Sequence, residues 1–140
     1  MRRIIFVGEH FTEGDGPGHG EGVLRVCLLA QSLINADLLK YRKFPLIYES
    51  GVRYQMEPRG LEEFRDIPTI LKNGCGDCDD LACWRVAELW MRFGINARPV
   101  FTCRMQPNGM RMYHILVQYP DGHIEDPSLI LGMGRGDIRG

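Results

Sequence analysis

The sequence carries almost no net charge: 17 basic and 18 acidic residues leave a formal −1. That balance gives no electrostatic reason to expect nucleic acid or an anionic membrane as a partner. An even cysteine count is also missing. The five are Cys27, Cys75, Cys78, Cys83 and Cys103, and a secreted disulfide framework favours pairs, so reduced thiols in a reducing compartment are the reading. The opening Met-Arg-Arg-Ile-Ile-Phe-Val-Gly stops being apolar after Val7, too soon for a signal-peptide core or a bilayer span. The expected location is therefore cytoplasmic. No Gly-Lys-Ser/Thr ending supports a phosphate-cradling loop, and no internal repeat is visible.

What is present is the composition of a globular protein, 44% hydrophobic and 25% charged over 140 residues, which predicts one domain over 1–140 with an ordinary core. Residues 3–7 suggest a short strand. A glycine-rich loop through Gly22 follows; its Glu9, His10, Asp15, His19 and Glu21 match no metal-ligand spacing, so it reads as a solvated loop and no metal is assigned. Val23, Val26, Cys27, Ala30, Leu33, Ile34 and Leu38 recur at helical spacing over 23–40. Residues 41–60 read as extended or looped, and 61–72 as a short amphipathic helix interrupted near Pro68. A tail from Gly132 to 140 reads as flexible, and its Arg135-Gly136-Asp137 is a tripeptide common by chance.

The strongest helix signal begins at Asp77, an N-cap followed by Asp79 and Asp80, and runs to Phe93 with Gly94 as its left-handed stop. Apolar residues cover most of its circumference, which predicts a central, buried helix. Strands over 97–105 and 111–119 follow, then Pro120-Asp121-Gly122 as a three-residue hairpin loop and a short strand ending at Asp126. In that register Tyr119 pairs with His123 and Leu116 with Asp126. His114 becomes a same-face diagonal neighbour of Asp126, with Cβ atoms about 7 Å apart or less. A two-residue loop would put the two on opposite faces.

Cys78 opens the central helix, where unpaired N–H groups and the dipole favour a thiolate and can help hold an oxyanion. Three neighbouring aspartates act against that, so a base is needed, and His114 oriented by Asp126 supplies one. Two other readings compete. Cys75-Gly76-Asp77-Cys78 has the C-x-x-C spacing of redox sites, but those follow a buried parallel strand, and 64–73 lacks four consecutive apolar residues. Zinc on Cys75, Cys78 and either Cys103 or His114 lacks the second close ligand pair that structural sites use.

Four segments, Gly76 to Ala82, Gly94 to Val100, Tyr113-His114-Ile115 and Gly122 to Pro127, together resemble the transglutaminase-like core over roughly residues 45–130. The resemblance implies an α+β, papain-like fold in which a central helix with the nucleophilic cysteine at its head packs on an antiparallel sheet carrying histidine and aspartate. It implies a Cys78-His114-Asp126 triad, a thioester acyl-enzyme, a protein or peptide substrate and no cofactor. Hydrolysis is the expected outcome, with amine transfer as the alternative and a non-catalytic assembly module or a redox protein as further ones. Val52-Arg53-Tyr54 is similar to the family's upstream aromatic segment, so Tyr54, Gln55 and Asp77 are the candidates for lining the site, with Asn73 a further amide. Ile115 and Leu116 stand where many members have a tryptophan. The ending Asp-Pro-Ser-Leu-Ile-Leu-Gly-Met is similar to compact bacteriophage-encoded members, which implies a virion or phage structural protein as a further partner.

Overall fold

A helix that is apolar on most of its surface is stable only when covered on more than one side, and the computed structural model shows how this chain does it. Residues 3–7, 19–57, 61–109 and 111–134 are described. The helix α3 spans Cys78–Phe93. Leu81, Trp84 and Ala87 enter a cluster with Ile47, Val52, Ile67 and Ile70. Ala82, Cys83, Val86 and Leu89 enter a second cluster with Leu24, Leu28, Phe64, Ile115 and Val117. Asp77 and Asp80 close a reciprocal capping box at its start, and Gly94, at φ 65, ends it in the left-handed conformation.

The fold is α+β. Strand β1 (Arg3–Val7) pairs antiparallel with β3 (Leu61–Arg65). The two-residue strands β2 (Arg53–Tyr54) and β4 (Cys75–Gly76) pair in parallel. Strands β5 (Arg98–Met105), β6 (Arg111–Gln118) and β7 (Ile124–Glu125) form an antiparallel sheet in the order β5-β6-β7. Ile115 and Val117 of β6 turn one face of this sheet onto α3. The helix α1 (His19–Tyr41) lies across both clusters, with Leu24 and Leu28 in one and Leu39 in the other. Its Glu21–Tyr41 portion is long and apolar enough to cross a membrane by length and composition, with a mean hydropathy of 1.4. Burial of its inward leucines accounts for part of that apolarity. A short helix α4 (Pro127–Ile130) closes the described chain.

Three expectations are corrected. Residues 61–72 are not one helix: Leu61–Arg65 is a strand, and α2 (Ile67–Asn73) starts after Asp66, whose carboxylate accepts the Thr69 N–H. Pro68 sits in the first turn of α2, where its missing N–H costs nothing. The glycine-rich loop ends earlier than Gly22, because α1 begins at His19 and takes Glu21 into its first turn. The tail also starts packed, since Met133 is buried and its N–H donates to the Ser128 carbonyl at 2.9 Å. Glu9, His10, Asp15 and Arg135-Gly136-Asp137 lie outside the described residues.

Candidate functional site

The hairpin between β6 and β7 has the register that a Pro-Asp-Gly loop favours. Val117 pairs with Glu125 and Gln118 with Ile124, the Tyr119 N–H donates to the His123 carbonyl at 2.9 Å, and the Gly122 N–H closes the turn on the Tyr119 carbonyl at 2.8 Å. Gly122 has φ 94, which a residue with a Cβ rarely adopts. Asp126 therefore falls on the same face as His114, and Nε2 of His114 lies 2.8 Å from Oδ2 of Asp126. The other carboxylate oxygen of Asp126 accepts the Leu129 N–H at 3.2 Å and so caps α4. The two side chains are 23% and 21% exposed, sheltered yet reachable from solvent. A carboxylate on Nε2–H fixes the neutral ring as the tautomer whose Nδ1 lone pair can take a proton.

Cys78 belongs to a second group. Its Sγ and carboxylate oxygens of Asp77 and Asp79 lie within 4.8 Å of one another. The Cys78 N–H donates to Asp77 Oδ1 at 2.7 Å, the Glu57 N–H to Asp77 Oδ2 at 3.3 Å, and the Asp80 N–H to Asp79 Oδ1 at 2.9 Å. These carboxylates serve as helix caps, and neither Cys75, Cys103 nor His114 joins them in the cluster. No disulfide joins any of the five cysteines. Because the Cys78 N–H is committed to Asp77, an oxyanion at this helix start needs a further donor.

Tyr54 and Gln55 sit beside the same helix start. Tyr54 pairs with Gly76, two residues before Cys78, and the Gln55 N–H donates to the Gly76 carbonyl at 2.9 Å. The Tyr54 N–H donates in turn to the Leu131 carbonyl at 3.0 Å. Strand β2 thus joins the segment that opens α3 to the segment that follows Asp126. Asn73 ends α2, exposed, just ahead of β4.

The structure brings His114 to Asp126, and it brings Tyr54, Gln55, Asp77 and Cys78 to one end of α3. The two groups stand on different layers. Side chains alternate along β6, and Ile115 and Val117 face α3, so His114 and Asp126 project from the other face of the sheet.

Around the helix start, carboxylates outnumber cations. Arg65 Nη1 lies 3.0 Å from Glu57 and 3.5 Å from Asp80, and Nη2 lies 3.8 Å from Glu63. Burial, together with the charges of Asp80 and Asp77, pushes the Glu57 carboxyl up to about 8. Burial raises Asp80 to about 7 against the hydrogen bonds from the Arg65 and Asp77 N–H groups. Burial raises Asp77 as well.

A further set of residues was not singled out from the sequence. On the α3-facing side of the hairpin, Glu125 accepts hydrogen bonds from Arg85 Nε at 2.7 Å, from the Tyr119 hydroxyl at 2.5 Å, and from the Tyr48 hydroxyl. Arg85 also pairs with the buried Glu88 at 2.8 Å, and Glu88 accepts the Ile47 N–H at 2.8 Å. Alternation places Glu125 on the α3-facing side of the sheet, and a half-buried carboxylate there favours a cation beside it. Arg85, a charge in the middle of an apolar helix, was the readable signal.

Comparison of the chain with protein-family models, curated proteins and solved structures returns no match. The chemistry of the site rests on its own residues.

Proposed function

We propose that this chain is a cysteine-dependent amide or peptide hydrolase with a transglutaminase-like arrangement of Cys78, His114 and Asp126. The observation that carries the reading is the 2.8 Å contact between His114 Nε2 and Asp126 Oδ2, which leaves Nδ1 as the proton acceptor. Cys78, at the capped start of the central helix, is the nucleophile. The thiol proton passes to Nδ1 and the sulfur adds to the carbonyl carbon. The imidazolium then protonates the leaving amine as the C–N bond breaks, and a thioester remains. Water, losing its proton to Nδ1, attacks the thioester and releases the acid and the thiol. An amine taking the place of water gives acyl transfer through the same intermediate.

The reading requires Sγ of Cys78 to reach His114 Nδ1 from the other layer of the fold. Strand β2 is hydrogen-bonded on one side to Gly76, just before Cys78, and on the other to Leu131, in the segment that follows Asp126. Gln55, exposed and anchored to Gly76, is the candidate side-chain donor for the oxyanion.

The test is incubation of the protein with a peptide library and a labelled amine, read by mass spectrometry. Cleavage, ammonia release and amine incorporation each leave a distinct mass change. Turnover that vanishes in Cys78→Ala and in His114→Ala supports the reading, and turnover that survives Cys78→Ala overturns it. Carboxymethylation of Cys78 should also perturb the His114 ring resonances; an unchanged His114 spectrum means that the two groups do not meet.

A further inference from the structure

Asp126 is held by a short piece of chain. Strand β7 is only two residues long, and its ladder with β6 comprises the pairs Val117–Glu125 and Gln118–Ile124. That ladder and the 3.2 Å bond by which Asp126 Oδ1 caps α4 are modest restraints on the carboxylate, because each such bond contributes only about 0.5–1.5 kcal/mol net. Glu125, the residue next to Asp126, points the opposite way and is anchored far more firmly. Arg85 holds it through Nε at 2.7 Å and Nη2 at 3.4 Å, and the Tyr119 hydroxyl adds 2.5 Å. Tyr48 reaches it from the 3-10 turn at Ile47–Glu49. Arg85 is itself fixed by Glu88 and lies over the Tyr48 ring at 4.9 Å. Every anchor of this set lies on the α3 side of the sheet, and the residue they immobilise is one peptide bond from the His114 partner.

We infer that Arg85 and Glu125 form a positioning clamp that sets the His114–Asp126 hydrogen bond from the opposite face of the sheet. The inference rests on the proposed role of that pair, and it adds residues on the α3-facing side of the sheet. Charge and geometry both favour the clamp. Burial works against the charged form of Glu125, yet the Arg85 guanidinium and the Tyr119 and Tyr48 hydroxyls outweigh it and hold the carboxyl below its ordinary value. Two parallel N–H···O contacts from one guanidinium also restrict rotation of the carboxylate plane, which a lysine cannot do.

The experiment is NMR of the His114 Nε2–H proton on the full chain at pH 9, above the ordinary imidazole range. Wild type, Glu125→Gln, Arg85→Lys and Tyr119→Phe are compared, with Asp126→Asn as the reference for a broken pair. The expected result is a downfield, slowly exchanging Nε2–H in wild type and its loss in Asp126→Asn. Exchange should be about tenfold faster in Glu125→Gln and Arg85→Lys, with the amide protection of α3 as a whole retained. Tyr119→Phe, which removes the hydroxyl contacts to Glu125 and Arg85 without changing any charge, covers the case in which the charge variants fail to fold and should still speed exchange. Exchange in Glu125→Gln, or in Tyr119→Phe alone if the others unfold, that equals wild type overturns the clamp; so does a wild-type signal insensitive to Asp126→Asn. Because the readout is a hydrogen bond and not turnover, an inactive wild type that shows the expected exchange pattern sinks the hydrolase reading and leaves the clamp standing.

Discussion

Oδ2 of Asp126 lies 2.8 Å from Nε2 of His114 because the two residues, 12 positions apart, are diagonal neighbours across β6 and β7. That relationship depends on a turn in which Gly122 has φ 94. Gly122→Val should therefore cost about 1–2 kcal/mol of stability, since a β-branched residue is strained in that conformation. Urea unfolding measures the loss. A variant as stable as wild type would mean that the turn does not constrain the register.

Two other glycines should respond in opposite directions. A Cβ on Gly76 would lie 3.1 Å from Asp80 Cβ, 3.3 Å from Leu81 Cδ2 and 3.4 Å from Ile70 Cγ2. Gly76→Ala is expected to destabilise by about 1–2 kcal/mol through overpacking under the start of α3. Gly22 lies inside α1 with nothing within 4 Å of a built Cβ, and Gly22→Ala should stabilise by about 0.5–1 kcal/mol through helix propensity. Thermal unfolding of the two variants beside wild type tests both signs together.

The cysteines should separate cleanly by accessibility. Cys83 is fully buried in the cluster between α1, α3 and the sheet, and burial pushes its thiol far above the ordinary range. Cys103 lies exposed on β5. Brief alkylation of the native protein, mapped by mass spectrometry, should modify Cys103 and leave Cys83 untouched until denaturant is added. Modification of Cys83 at the rate of Cys103 in native buffer would contradict the packing of α1 on α3.

Local rules were enough for the parts of this fold whose causes lie within a few residues. Asp77 and Gly94 mark the ends of α3 because caps are local, and Pro120-Asp121-Gly122 sets the hairpin register because loop length does. Leu61–Arg65 reads locally as helix, since five residues beside Pro68 are too few to distinguish a strand from a helical turn; pairing with β1 makes it a strand. The two-residue ladder between β2 and β4 has no periodicity to read. The Arg85–Glu125 contact spans 40 positions and becomes visible only once α3 and β7 are laid side by side. The same holds for Arg65, whose backbone and side chain both meet Asp80.

The acidic residues around Arg65 predict how stability varies with pH. Glu57 and Asp80 titrate in the folded chain near 8 and 7, against ordinary values of 4.5 and 3.8. Between those limits the folded state holds protons that the unfolded state has released, so stability falls as pH rises through that window. Glu125 acts in the opposite sense: its carboxyl is held low in the fold, so its contribution is present above the ordinary range and is lost as pH falls through the folded value. Stability should therefore peak near pH 4–5 and decline toward pH 8. Each unit of folded-state shift corresponds to about 1.4 kcal/mol for a fully responding group. Both side chains qualify, with Glu57 7% and Asp80 0% exposed. Urea midpoints at pH 5 and pH 8.5 give the difference, and Glu57→Gln should reduce it by removing one of the two proton uptakes. A midpoint that rises between pH 5 and pH 8.5 would show that Arg65 keeps these carboxylates ionised in the folded chain.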